Sequence, residues 1–294
     1  MDSVVILIAA PGSRAIGETV AKTLGELTTT QPHWLCENEA LQAPVNAATL
    51  SGLTPEIQRL VQNLPIDVAL APAANRRKRL LIADMDSTMI GQECIDELGA
   101  LAGVGERIKE ITASAMRGEL DFEAALKARL QLMKGLPEGA IAKVLKERIT
   151  FTPGGRTLIA TMKAHGAYAA LVSGGFVQFT SYVAQKLGFD EDRANELLIS
   201  EGRLTGGVGE PILGQDAKVQ ALDEITARLG ITVADALAVG DGANDIPMLR
   251  KAGLGVALHA KPKVQEQAAV RINHGDLTAL LYLQGYSVKD FAAA

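Results

Sequence analysis

The stretch Leu80-Leu81-Ile82-Ala83-Asp84-Met85-Asp86-Ser87-Thr88 sets two acids at the end of four consecutive apolar residues. A strand with no polar face is one covered on both sides, as in a parallel sheet packed between helices. Side chains alternate along a strand, so Asp84 and Asp86, two residues apart, leave it on the same side. The C-terminal ends of such strands are where open α/β sheets bind ligands. Two carboxylates held this close repel, which calls for a cation or for a raised pKa on one of them. Asp-x-Asp alone also occurs in exposed turns; the apolar run before it is what directs the reading toward chemistry.

The 294 residues leave room for about two domains at about 150 residues each. A 48% hydrophobic and 21% charged composition is that of a soluble globular chain. The 4% aromatic content and net charge of -5 argue against nucleic acid or an anionic membrane as a partner. Cys36 and Cys94 make no disulfide framework, and the four histidines make no zinc pattern, which suits a reducing compartment. The acidic start Met1-Asp2-Ser3, and an apolar run Val4 to Ala10 broken by Pro11-Gly12, predict neither signal peptide nor transmembrane helix. A cytoplasmic location follows as an expectation.

Residues 1 to 74 read as a small α+β unit. Val4 to Ala9 forms a strand, Ile16, Val20, Leu24 and Leu27 recur at helical spacing, and Ile57, Leu60 and Val61 mark a second helix before the alternating strand Ile66, Val68, Leu70. The pattern is βαβαβ-like, with Trp34 expected in its core. The basic run Asn75-Arg76-Arg77-Lys78-Arg79 reads as a solvated linker and the boundary to a second domain, 75–294. Residues 92–149 are helical throughout, with Asp121 suited to N-cap a helix starting at Phe122 and Pro137 suited to the first turn of the next. That block divides the second domain into a core, 78–91 and 150–294, and an insertion. Strands return at Ala169 to Val172, Ala236 to Val239, Gly253 to Leu258 and Ala268 to Ile272, with a hairpin turn at Glu201-Gly202. Alternating strands and helices predict an α/β fold with a doubly wound, mostly parallel sheet.

Three of these strands end in polar residues: Asp84/Asp86, Ser173-Gly174-Gly175, and Gly240-Asp241-Gly242-Ala243-Asn244-Asp245. In a parallel sheet these ends share one edge. Ser173 with two glycines offers a hydroxyl and close backbone approach to an anion, and Asp241 and Asp245 offer hard oxygen ligands. Lys218, at the start of a helical segment between the second and third of these, can set an ammonium among the acids and phosphoryl oxygens. Cys94 reads as a packing residue, and His259 and His274 carry no signal on their own.

In this order Asp84-x-Asp86-x-Thr88, Ser173, Lys218 and Gly240-Asp241-Gly242-x-Asn244-Asp245 resemble the four motifs of the haloacid dehalogenase superfamily, over about residues 78 to 285. Within it, Asp84-Met85-Asp86-Ser87-Thr88, Glu93, Ser173-Gly174-Gly175-Phe176 and the helical insertion are most similar to the branch that hydrolyses O-phosphoserine. The resemblance implies a Rossmann-like core with a helical cap inserted after its first strand. It implies that Asp84 attacks phosphorus and becomes an aspartyl phosphate, dividing one hard step into two. Asp86 would protonate the departing serine oxygen and then take a proton from water. One Mg2+ per active site would be held by Asp84, Asp241 and the backbone carbonyl of Asp86, with Asp245 nearby. Ser173, Gly174, Gly175, Lys218 and Asn244 would be the substrate-binding residues of the core. In the cap, Arg129 would grip the substrate carboxylate, Glu93 its ammonium group, and Phe122 with Met116 would close the apolar side. Phe122 and Arg129 are two helical turns apart and share a face.

Ion-pumping ATPases that resemble this superfamily carry Thr where Asp86 stands, so an acid here favours turnover over a lasting phosphoenzyme. The implied activity is the last step of L-serine biosynthesis on a small-molecule substrate. A phosphatase or phosphotransferase for another small phosphomonoester, such as phosphohomoserine, is the neighbouring reading. From a different class comes an amino-acid-binding regulator, because residues 1 to 74 resemble an incomplete ACT-like domain, with a homodimer through that unit.

Overall fold

A computed structural model describes residues 3–116 and 119–293. The side chains of 47–51 and of Met116 fall outside it, so the expected Met116 contact lies outside the described residues. The chain begins with β1 (Ser3–Ala9), α1 (Glu18–Thr28), β2 (His33–Cys36), β3 (Ala40–Val45), α2 (Ala47–Val61) and β4 (Ile66–Pro72). These strands form an antiparallel sheet in the order β2-β3-β1-β4, a split βαβ arrangement.

The expected βαβαβ pattern is therefore short by one strand, because a hairpin, β2–β3, stands where it has a single strand. Only Leu35 of β2 is buried, so this edge strand carries no readable alternation. Trp34, expected in the core, is 38% exposed on that edge, where the register shifts.

The second sheet starts with β5 (Leu80–Ala83), after which α3 (Cys94–Leu101), α4 (Gly105–Met116), α5 (Phe122–Leu132) and α6 (Gly139–Glu147) form the helical insertion. The Asp121 carboxylate accepts from the Ala124 N–H at 2.8 Å and caps α5 as its sequence predicts. Then come α7 (Gly155–Ala164), β6 (Tyr168–Phe176), α8 (Val177–Leu187), β7 (Glu191–Asn195), the hairpin β8 (Leu197–Ser200) and β9 (Arg203–Val208), and α9 (Gln215–Arg228). The last strands are β10 (Ala236–Gly240), β11 (Leu254–Leu258) and β12 (Val270–Ile272).

The order β12-β11-β10-β5-β6-β7, parallel throughout, gives the expected doubly wound α/β fold. The chain runs outward from β5 in one direction and returns to its other side at β10, so the β5/β10 crevice is the switch point at which such sheets bind ligands. Strand β5 divides two apolar clusters by its alternation: Leu81 and Ala83 enter one, Leu80 and Ile82 the other. Strand β7, Glu-Asp-Arg-Ala-Asn, went unread because it lies on the sheet edge and has a polar sequence.

Strand β1 makes the same division. Val5, Leu7 and Ala9 pack under α1 and α2, whereas Val4, Ile6 and Ile8 join the apolar cluster of the second sheet. The contact between the two parts is also polar. Buried Asp67 accepts the backbone N–H groups of Asn273, His274 and Gly275 at 2.8 to 2.9 Å. Arg76 donates to the carbonyls of Tyr282 and Leu283 and to Gln42 Oε1, and Lys78 donates to the carbonyls of Asn75 and Ala234. Arg76 and Lys78 thus make the basic run a clamp rather than the solvated linker its composition suggests, since they cap carbonyls in the last turn of the Ala279–Leu283 helix and before β10. Among the described residues no helix is long and apolar enough to cross a membrane.

Replacing Asp67 by Ala leaves three N–H donors without their acceptor, that of Gly275 buried, and the expected cost is about 2 to 3 kcal/mol in urea unfolding. An unchanged midpoint would mean that this junction contributes nothing to stability.

Candidate active site

The ends of β5, β6 and β10 bring the sequence-predicted residues of the core together. Past β5, the Asp84 N–H donates to the Val239 carbonyl at 3.0 Å, which holds Asp84 against β10. Asp84, Asp241 and Asp245 are buried, and each has a carboxylate oxygen within 4.8 Å of the others. Lys218, 1% exposed, sits beneath them with Nζ 2.7 Å from Asp84 Oδ1 and 2.5 Å from Asp245 Oδ1. The Asp245 bond is aligned as a hydrogen bond; Asp84 Oδ1 is balanced by proximity alone and has no hydrogen-bond partner in the protein. Asp245 Oδ2 accepts the Gly242 N–H at 2.8 Å, and Asp241 Oδ1 accepts the Thr88 hydroxyl at 3.2 Å.

Charge does not balance within this cluster, where one ammonium faces three carboxylates. Burial, and then Asp245, hold the Asp84 carboxyl well above its usual range against the pull of Lys218. Burial and Asp245 likewise push Asp241 up to about 6. Burial would lower Lys218, but Asp245 and Asp84 outweigh it and keep the ammonium charged. A buried, all-carboxylate, hard-oxygen donor set with more negative charge than Lys218 balances is the environment a divalent cation such as magnesium fits.

Asp86 turns toward the cavity, and its Oδ1 accepts the Cys94 N–H at 3.2 Å. Burial, with Glu93 second, pushes its carboxyl up to about 7, so it can hold a proton near neutrality. Cys94 is fully buried and its thiol is pushed far up by burial and by Asp86, as befits the packing role read from the sequence. Ser87 adopts φ 55°, and its hydroxyl donates to Glu93 Oε1 at 2.8 Å. At the end of β6, Ser173 Oγ accepts the Gly175 N–H at 2.9 Å. A Cβ at 175 would lie 2.9 Å from Asp86 Oδ2, so only glycine lets this turn come so near the acid.

Above the sheet edge lies a cavity of about 560 Å³. Asp84, Asp86, Ser173, Gly174, Gly175, Asp241 and Asn244 line its floor, and Glu93, Phe122 and Arg129 its cap side. Lys218 and Asp245 sit behind the floor rather than in it. The Arg129 guanidinium donates to the Ala125 carbonyl at 3.2 Å and to Thr112 Oγ1 at 3.5 Å, with no carboxylate in ion-pairing distance among the described residues. Sequence reading missed Thr112, Gln215, Lys261 and Lys263, which also line the cavity. The lysines follow the end of β11 on the same sheet edge, and that position was the available signal. Of the two histidines, His274 lies at the Asp67 junction and His259 pairs its N–H with the Ile272 carbonyl.

A sheet switch point carrying clustered buried carboxylates and a buried lysine fits a class of hydrolase, and the comparisons agree. The family model for haloacid dehalogenase-like hydrolases matches residues 81–250, and the chain belongs to that family. A phosphoserine phosphatase of Streptomyces coelicolor is 44% identical over 233 residues, which cover 79% of this chain and 57% of that protein. The chain thus spans little more than half the length of that relative. One of Methanocaldococcus jannaschii is 43% identical over 206 residues, 70% of this chain and 97% of that protein. The unliganded crystal structure of a probable phosphoserine phosphatase from Vibrio cholerae has a TM-score of 0.79 at 30% identity and covers 98% of this chain and 88% of its own.

Lys218→Met leaves two buried carboxylates facing each other without a counter-charge. The expected loss is about 3 to 5 kcal/mol of stability in metal-free buffer, partly recovered by adding Asp245→Asn. Full stability of the single variant would show that the acids are neutral without the lysine.

Proposed function

We propose that this chain is a magnesium-dependent phosphatase that hydrolyses O-phosphoserine to serine and inorganic phosphate through a phosphorylated Asp84. The observation that carries the reading is the pairing across one cavity of the buried acid cluster on the floor with Arg129 and Glu93 on the cap side. The floor suits a phosphoryl group. The opposite wall suits a zwitterion, with a carboxylate on the unpaired guanidinium and an ammonium on the carboxylate.

In this reading Asp84 attacks phosphorus as the serine oxygen leaves, and Asp86 gives that oxygen its proton. Asp86, now ionised, takes a proton from the water that attacks the aspartyl phosphate, which restores both acids and frees phosphate. Lys218 stays charged throughout and steadies Asp84 and the oxygens that gain charge. Ser173 can donate its hydroxyl proton to the phosphoryl group while its oxygen holds the Gly175 N–H. Asp84, Asp241 and the Asp86 backbone carbonyl, with Asp245 close by, would hold Mg2+, which supplies positive charge to the phosphoryl oxygens. Residues 75–294 carry all of this, and the reading divides the chain there. A cytosolic place at the end of serine biosynthesis is part of the same proposal.

A panel of phosphorylated amino acids and sugars, assayed with and without magnesium, tests it. O-phosphoserine should be the best substrate, with activity lost to a chelator and restored by Mg2+. Asp84→Asn should lower turnover by at least about 1,000-fold with the fold intact. Arg129→Ala should lower kcat/KM for phosphoserine by about 100-fold and affect sugar phosphates far less. Equal turnover of sugar phosphates, or hydrolysis retained by Asp84→Asn, would sink the reading. Magnesium should also raise the Tm of the unaltered chain and not that of Asp241→Asn.

A further inference from the structure

Where β6 and β7 pair, the ladder runs Ala170 with Glu191, Leu171 with Asp192 and Val172 with Arg193, and resumes only at Phe176 with Asn195. Four steps on β6 are spanned by two on β7. Ser173, Gly174 and Gly175 stay within β6 but lose their ladder to β7 and bulge, and this glycine turning of the strand lines the cavity. A bulge that leaves its ladder must find other partners for its backbone groups.

Asn195 supplies them. It is 2% exposed, and its Nδ2 donates to the Gly174 carbonyl at 2.9 Å and to the Leu213 carbonyl at 3.2 Å. Its Oδ1 accepts the Leu213 N–H at 2.7 Å. The amide orientation is fixed by this set, because the reverse would point its oxygen at two carbonyls and its NH2 at an N–H. One side chain therefore ties the cavity turn to the loop that leads into α9 and Lys218. The cap rests on the same two segments: the Phe122 ring would stand 3.4 Å from a Cβ at 174 and 3.6 Å from one at 214.

We propose that Asn195 is a positioning residue for catalysis, one that holds the Ser173-Gly175 turn in its anion-receiving shape and levels the two-glycine platform on which Phe122 closes. The inference rests on the phosphatase reading given above. Asn195 touches no substrate; it acts through the Gly174 carbonyl and the Leu213 peptide. An aspartate is nearly the same size but would bring no donor to two carbonyls. A glutamine would carry the amide about one bond too far.

The test uses the full chain with Asn195→Ala and Asn195→Asp. Gln178→Ala is the control, since Gln178 clamps Leu197 through both its amide groups without reaching the turn. Calorimetric binding of inorganic phosphate in the presence of magnesium is read beside kcat and KM for O-phosphoserine, and circular dichroism and Tm report folding. Both Asn195 variants should fold, bind phosphate about tenfold more weakly, and raise KM by a similar factor with a smaller effect on kcat. Gln178→Ala should lower only Tm. Unchanged phosphate affinity in either folded Asn195 variant, or an equal loss in Gln178→Ala, would overturn the assignment and leave Asn195 a structural residue. An unaltered chain that binds phosphate but does not hydrolyse phosphoserine would fail the phosphatase reading alone.

Discussion

Lys218 is the one charge around which the catalytic end of the sheet is arranged. A fully buried ammonium is costly unless it is paired, and here it is paired with Asp84 from the end of β5 and Asp245 from beyond β10. The pairing requires α9 to deliver its first turn beneath the sheet edge and β10 to lie beside β5. It also leaves a surplus of negative charge, since Asp241 joins the same cluster. Burial, and after it that surplus, raises the pKa of Asp84 and Asp241, and the uncompensated charge suits the cluster to a divalent cation. Fold, electrostatics and chemistry therefore follow from a single charge balance at a strand switch point.

The cap supplies the second wall of the cavity. Helix α5 brings Phe122 and Arg129 to one side of the cavity, and Glu93 stands at the entrance to α3, held by Ser87 in a left-handed conformation. Non-glycine residues in that region carry strain and persist where the surroundings over-determine them. Here the Ser87 hydroxyl holds the Glu93 carboxylate, and Glu93 and the Arg129 guanidinium line the same cavity. After burial, Glu93 also raises Asp86, so the group proposed to meet an ammonium and the group that can hold a proton are electrostatically linked. An ammonium bound near Glu93 would weaken that influence.

The N-terminal sheet is more deeply joined to the rest than its sequence suggests. Both faces of β1 are buried, one under its own helices and the other in the large apolar cluster of the second sheet. Asp67 and Arg76 complete the junction with buried polar bonds to backbone groups near the C-terminal end of the chain. Such an interface transmits strain between its two sides, because close-packed interiors do not deform gradually.

How much of this was legible in the sequence follows from the range of each interaction. Apolar alternation, caps and turn chemistry are local, so the strands β1, β5, β6 and β10, the capped α5 and the hairpin turn at Glu201-Gly202 could be read from the residues themselves. The polar ends of three buried strands likewise announced Asp84, Asp86, Ser173, Asp241 and Asp245, since a parallel sheet gathers its C-terminal ends on one edge. The strands β2 and β7 were hidden, because edge strands need only one buried face and can be polar. The basic run at 75–79 looked solvated, since composition does not reveal that Arg76 and Lys78 reach carbonyls more than 150 positions away along the chain. Thr112, Gln215, Lys261 and Lys263 entered the cavity only through packing. The sequence by itself determined which chemical groups stand at the strand ends. Tertiary structure alone decided which of them share a charge, which face the cavity and which side chain, Asn195, holds the turn between them, because those depend on contacts between segments that no local pattern encodes.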